Sequence, residues 1–319
     1  MIQQKPILFW AVFFLSAAAQ ASELTLKKTE SGYDVFVGSG LFAGYHTSFE
    51  GSPVVYPLIG PAGQKMTRDY PMLKDGGNST TSDHPHHRSM WFTHGLVNGL
   101  DFWTSDAKTG RTAYQIVHKR FVKAESSGTA AVIVTENHWI GKENQLLCRD
   151  ERMLTFSEWK QCRIIDFDMT VTAEADSVTF GDTKEGTFGI RLADSMTAAG
   201  KNGHIINAEG KKEGEAWGKR SAWVDCFGLI DGQTAGIAVL NHPSSFRFPV
   251  YWHVREYGLL AANPFGIHEF EKKRNEKHLG DFTLQKGKAF TFRCRILLHQ
   301  GTPEEAGIAE AFQEYKNKK

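Results

Sequence analysis

Along most of this chain, hydrophobic and polar positions alternate with a period of two, the pattern of half-buried β-strands. The stretches "GYDVFVG" (32–38), "AAVIVTENHWI" (130–140), "RMLTFSE" (152–158), "RIIDFDMTVTA" (163–173), "GIAVLNH" (236–242) and "FTFRCRILLH" (290–299) either alternate or run with β-branched and aromatic residues. Turn signals separate them, among them Lys74-Asp75-Gly76-Gly77, Asp231-Gly232 and Lys286-Gly287. Helical periodicity is confined to Pro303–Lys316, where Thr302 can cap a helix and Glu304 and Glu305 occupy its first turn. No repeat, low-complexity tract or Pro/Ser-rich linker divides the chain. The pattern predicts an all-β fold, a large antiparallel β-sandwich with a short C-terminal helix, as a single domain over residues 22–319.

The first 21 residues fall outside the pattern. Lys5, the apolar run Ile7–Leu15 and the small residues Ala19 and Ala21 read as a signal peptide cleaved after Ala21. The mature protein is therefore expected in the periplasm or outside the cell. No later segment is long and apolar enough to span a bilayer. The full chain carries a formal charge of +1 and loses Lys5 with the leader, so the mature charge is near zero. That balance argues against nucleic acid and leaves a neutral small molecule open. Cys148, Cys162, Cys226 and Cys294 show no metal spacing. Export permits disulfides, and Cys148 and Cys162 could face each other across a hairpin, but four buried thiols are the simpler reading.

Candidate chemistry concentrates in three blocks. The first, "SDHPHHRSMWFTHGLVNGLDFW", holds His84, His86, His87, Arg88, His94, Asn98, Asp101 and Trp103. Taken as an extended rim segment, it puts His84 and His86 on one face and His87 on the other. That pair, with Asp83 or Asp101, leaves a divalent metal open; acid–base work or sugar binding is the competing role. Asn, Asp and Trp suit the hydroxyl edges and apolar faces of sugars. The second block, "FGDTKEGTFGIRLADSM", offers Lys184, Glu185 as a general base, and Arg191 among glycines. The third, "NHPSSFRFPVYWHVREYGLLAANPFG", brings His242, Arg247, Trp252, His253, Arg255 and Asn263. Alternation sets His253 and Arg255 on one face and Trp252 on the other, and arginine suits planar oxygen anions. The three blocks are expected to line one cleft, with His86, His87, Glu185 and His253 as the catalytic candidates.

These blocks, with "FRCRILLH", resemble a bacterial family of exported proteins once labelled "methane oxygenase PmoA" and now treated as a domain of unknown function. The resemblance runs from about Leu41 to His299. Ser89 departs from it, standing where glycine is more usual. The resemblance implies a supersandwich of the galactose-mutarotase type and an association with sugar catabolism; it supplies no catalytic residues. The methane-oxygenase label conflicts with the lack of a spanning segment. The function expected from sequence is an exported carbohydrate-active protein, leaning toward an enzyme using His/Glu acid–base chemistry on a sugar or oxidised glycoside, by hydrolysis, elimination or epimerisation. The alternative is a noncatalytic glycan-binding module. No cofactor motif is present.

Overall fold

The computed structural model describes residues 23–104, 114–200 and 202–318; the expected leader and its cleavage site lie outside them. The described residues form two eight-stranded sheets and a two-stranded ribbon, every strand pair antiparallel. The first sheet runs, in spatial order, β1 (Leu24–Lys28), β2 (Gly32–Val37), β3 (Gly40–Phe49), β4 (Ser52–Leu58), β5 (Met90–His94), β11 (Gly186–Arg191), β16 (Leu259–Asn263) and β15 (Tyr251–Arg255). The second runs β12 (Gly203–Asn207), β13 (Trp223–Ile230), β14 (Gln233–Asn241), β18 (Ala289–Gln300), β9 (Cys162–Ala173), β8 (Leu146–Trp159), β7 (Ala130–Ile140) and β6 (Gln115–Ser126). β10 (Ser177–Phe180) and β17 (Phe282–Gln285) make the ribbon.

The inward positions of both sheets meet in one core. Phe92 and Phe188 of the first sheet pack on Phe167 and Phe292 of the second, with ring centroids 5.3–6.1 Å apart, the spacing at which offset and edge-on aromatic pairs are favourable. Between the sheets lies a charged pair. Arg152 donates to Asp150 at 2.7 and 3.0 Å, and Asp150 also accepts from Asn137 at 2.8 Å and from the Trp139 indole at 2.7 Å. Both charges are buried, and this full set of partners is what such burial requires.

The C-terminal helix forms, but in two pieces: α1 (Pro303–Ala306) and α2 (Ile308–Tyr315). Thr302 caps the first in a reciprocal capping box with Glu305. Gly307 breaks the run by adopting φ +71°, a left-handed conformation that glycine takes without the Cβ clash of other residues. Ile308, Ala311 and Tyr315 then lie against Ile164, Ala238, Leu240 and Leu297 on the outer face of the second sheet. The Cys148–Cys162 hairpin pairing does not occur. Cys148 sits opposite Ala173 and Cys162 opposite Trp159, at the two ends of the β8–β9 hairpin, and all four thiols are free and buried. Among the described residues no helix is long and apolar enough to cross a membrane.

Candidate functional site

A cleft of about 660 Å³ opens beside the strands at one end of the first sheet, and four separate chain segments wall it. The connection from β4 to β5 brings His84, His86 and His87. The segment after β5 brings Asp101, the one before β11 brings Lys184 and Glu185, and β15 with the turn after it brings His253, Arg255 and Tyr257.

The histidines converge for a reason that alternation misses. His84 has φ +46°, and its carbonyl accepts the His87 N–H at 3.0 Å, so Pro85 and His86 form a turn rather than an extended rim. The assignment of His87 to the opposite face is therefore corrected: all three imidazoles crowd together. The His84 and His87 rings stack at 4.8 Å and 10°, and His86 meets His87 edge-on at 4.5 Å. Tyr257 stacks on His84 at 4.8 Å and 11°.

Asp83 organises the electrostatics. Its carboxylate accepts from Arg191 Nη2 at 3.0 Å, from Arg68 Nη1, and from His84 Nδ1 at 2.7 Å. Burial by itself would raise the Asp83 carboxyl; Arg191, Arg68 and His84 outweigh it and hold the group well below the usual carboxylate range. An ionised carboxylate only accepts, so His84 carries a proton on Nδ1, and in the neutral ring Nε2 is the acceptor. His87 has the opposite tautomer. Its Nδ1 lies 3.1 Å from Arg191 Nη1, and a guanidinium only donates, so the proton of a neutral His87 is on Nε2. Burial, followed by the neighbouring His86 and Arg191, pushes His87 well below the ordinary histidine value and keeps it neutral. His253 donates Nδ1–H to the Lys184 carbonyl at 2.9 Å, leaving Nε2 as an acceptor, and burial brings it down to about 4. The cleft thus presents an acceptor on His84, a donor on His87 and an acceptor on His253.

Lys184 Nζ lies 3.4 Å from Glu185 and 3.5 Å from Glu269, each side chain about one-third exposed, so these charges remain within reach of a bound molecule. Asp101 Oδ1 accepts the backbone N–H groups of Trp103 and Thr104, which fixes its orientation. The segment carrying Lys184 and Glu185 is braced from β15 and β16: His253 binds the Lys184 carbonyl, and Asn263 Nδ2 binds that of Thr183 at 2.8 Å.

Of the residues singled out from sequence, His84, His86, His87, Asp101, Lys184, Glu185, His253 and Arg255 meet in the cleft. Arg191 lies beneath it, on Asp83 and His87. The others are used by the fold. Arg88 ties the Phe49 and Glu50 carbonyls, His94 the Gly181 carbonyl, and Asn98 the backbone of Ser177 and Thr179. Trp103 packs on Trp91 in a buried cluster, and the Trp252 indole donates to the Ser221 carbonyl. Arg247 serves three carbonyls, of Pro264, Gly280 and Asp281, while His242 bonds Ser244 and packs on Tyr315. Asn263 braces Thr183 as described, and its Oδ1 accepts the backbone N–H groups of Phe265 and Gly266 at 2.7 and 3.0 Å. Sequence reasoning missed Tyr257, although it continues the period-two series His253, Arg255. It also missed Arg68, for which "KMTRDYPM" carries no signal, and it weighed Asp83 only as a metal ligand. Among the described residues no group of three or more His, Cys, Asp or Glu side chains is arranged to hold a metal ion; Asp83 is engaged by two arginines and His87 Nδ1 by Arg191.

A family model described as a family of unknown function (DUF6807) matches residues 33–313. No curated protein sequence matches the chain. Among solved structures, the chain is similar to the GH36 alpha-galactosidase AgaB from Geobacillus stearothermophilus at 10% identity and a TM-score of 0.45, over 87% of this chain and 41% of that one. It is similar to galactose 1-epimerase from Lactobacillus acidophilus NCFM at 8% identity and a TM-score of 0.42, over 88% of this chain and 100% of that one. A galactose mutarotase related enzyme from Lactobacillus acidophilus gives 10% identity and a TM-score of 0.33, over 88% and 96%. The chain spans about two fifths of the length of the alpha-galactosidase.

Proposed function

The chain belongs to the family of unknown function DUF6807, and for this member we propose an exported carbohydrate-active enzyme that moves a proton to or from a sugar or oxidised glycoside bound in the histidine cleft. The observation that carries the reading is the Asp83–His84 pair. A carboxylate held ionised by two arginines fixes the imidazole tautomer, so that Nε2 faces its task as a base, and the pair opens onto a cleft rather than being sealed in the core.

The rest of the wall fits a polyhydroxylated ligand. A sugar hydroxyl both donates and accepts, and His87 and His253 supply one of each in fixed tautomers. Both stay neutral near pH 7, which favours hydrogen bonding over ion pairing. Tyr257 is stacked on His84 and takes the Arg191 and Arg255 guanidinium groups over its ring, so it holds that wall of the cleft in place. Lys184 and Glu185 stand on the wall contributed by the β11 approach, where one of them returns the proton that His84 removes. Hydrolysis, elimination and epimerisation share that two-sided proton transfer.

The test is His84→Ala, assayed with wild type on a panel of glycosides and their 3-keto and uronate forms, with binding and thermal melting measured on the same samples. The expected result is a loss of about 10²–10⁴ in turnover, with binding within a few-fold and an unchanged melting temperature, since His84 is part-exposed. Near-normal turnover of His84→Ala would end the proposal. Binding by wild type without turnover of any panel member would favour the noncatalytic glycan-binding module.

A further inference from the structure

We propose that the cleft continues across the Arg255–Tyr257 ridge into a second sugar subsite, so that the ligand is a glycoside of at least two sugar units and Trp217 is the platform for the second. This rests on the reading of the first cleft as a sugar site. A second cavity of about 460 Å³ lies beside the first, and Arg255 and Tyr257 wall both. Each volume falls within the roughly 300–1,000 Å³ typical of small-ligand sites. The ridge between them is the end of one strand and the turn after it, not a packed layer.

Trp217 lines the second cavity and is only partly buried. Phe270 holds its ring edge-on at 5.5 Å, and His253, a wall of the first cleft, meets it at 6.3 Å and 83°. A single indole therefore links the two spaces. Two small residues, Gly214 and Ala199, also line this cavity. A Cβ placed on Gly214 would meet nothing closer than Glu256 Oε1 at 3.5 Å, so even an alanine there would begin to fill the space where a ring could lie. An indole that shares the cavity lining with Arg255 and Glu256 offers one sugar an apolar surface and charged partners for its hydroxyl edge. A monosaccharide in the first cleft would leave this arrangement unused.

Calorimetry with unmodified sugars tests the proposal. Wild type, Trp217→Ala and Trp217→Phe would be titrated with the methyl glycosides of glucose, galactose, xylose and galacturonic acid, and with cellobiose, galactobiose, xylobiose and digalacturonate. In at least one series the disaccharide should bind wild type on the order of tenfold more tightly than its methyl glycoside, the size expected from burying one aromatic face. Trp217→Ala should erase that gain while leaving methyl glycoside affinity unchanged, and Trp217→Phe should keep most of it, which also guards against a misfolded alanine variant. Equal affinity for disaccharide and methyl glycoside in every series would overturn the second subsite while leaving the first cleft standing. Equal losses for both ligands in Trp217→Ala would overturn it too. Absence of binding by any sugar would overturn both readings.

Discussion

His94 was a candidate for the site, but the structure makes it a core residue, and that placement has a measurable cost in acid. Its Nε2–H donates to the Gly181 carbonyl at 2.8 Å, Nδ1 faces the Thr187 hydroxyl at 3.4 Å, and the ring packs on Phe265 at 4.7 Å. No water can reach Nδ1 from the Gly186 side, where even a Cβ would lie 2.4 Å away. Burial brings His94 down from 6.5 to about 4. Between those values the unfolded chain takes up a proton that the folded chain refuses, so the associated stability is complete above about pH 6.5 and is lost as the pH falls toward 4. The gap of about 2.5 pH units, at about 1.4 kcal/mol for each, amounts to about 3 kcal/mol at pH 4. The perturbation is His94→Gln, which keeps an N–H donor but does not titrate. Urea unfolding of both proteins between about pH 7 and pH 4 gives the two stability curves. Gln is expected to cost stability near neutrality yet flatten the acid limb, the two curves approaching by about 3 kcal/mol. Carboxylates such as Asp83 titrate in both proteins and cancel in the difference. Curves that stay parallel across the range would refute the assignment of His94 as a buried neutral imidazole.

Three further outcomes are expected. Asp150→Ala strands the buried Arg152 charge and should cost about 3–5 kcal/mol in urea unfolding, whereas Asp150→Leu combined with Arg152→Met should cost less than the single change. Thr302→Ala should cost about 1 kcal/mol through the lost cap, and Gly307→Ala a similar amount because φ +71° suits glycine, both read from thermal melts. The four thiols should resist an aromatic disulfide reagent in the folded protein and all react in denaturant, because burial both hides them and pushes the Cys148 thiol far above its ordinary value and the Cys162 thiol up to about 11.

The strands were readable because alternation is a local property: residues 130–140 of the quoted pattern coincide with β7, and 163–173 fall within β9. Their neighbours were not readable, since nothing in a period-two pattern says that Met90–His94 pairs with Gly186–Arg191 across a long stretch of chain. The C-terminal helix was seen but not its break, although Gly307 was visible. Local polarity also cannot separate a side chain that meets a ligand from one that meets the backbone. Arg247 and Arg255 look alike in the third block, yet one guanidinium is consumed by three carbonyls and the other faces the cleft. The histidine block was found by composition and misread by periodicity, because a turn at Pro85 obeys backbone dihedrals rather than side-chain alternation.

The connection 59–89 leaves the first sheet at β4 and re-enters it next door at β5, where only Val54–Trp91 and Val55–Met90 pair. What pins the excursion is its own charge: Asp83 clasps Arg68 from the same connection and Arg191 from the distant end of β11, while Asp194 takes the backbone N–H groups of Thr80 and Thr81. The carboxylate that aims His84 is therefore also the latch that shuts the segment. Orientation of the His84 imidazole and closure of the chain are one event, so a half-assembled molecule has no half-oriented His84. If His84 is the base proposed above, then along a denaturant series the fraction of sites competent for proton transfer should track the fraction of chains folded, point for point, and a weakened variant should lose active molecules rather than activity per molecule.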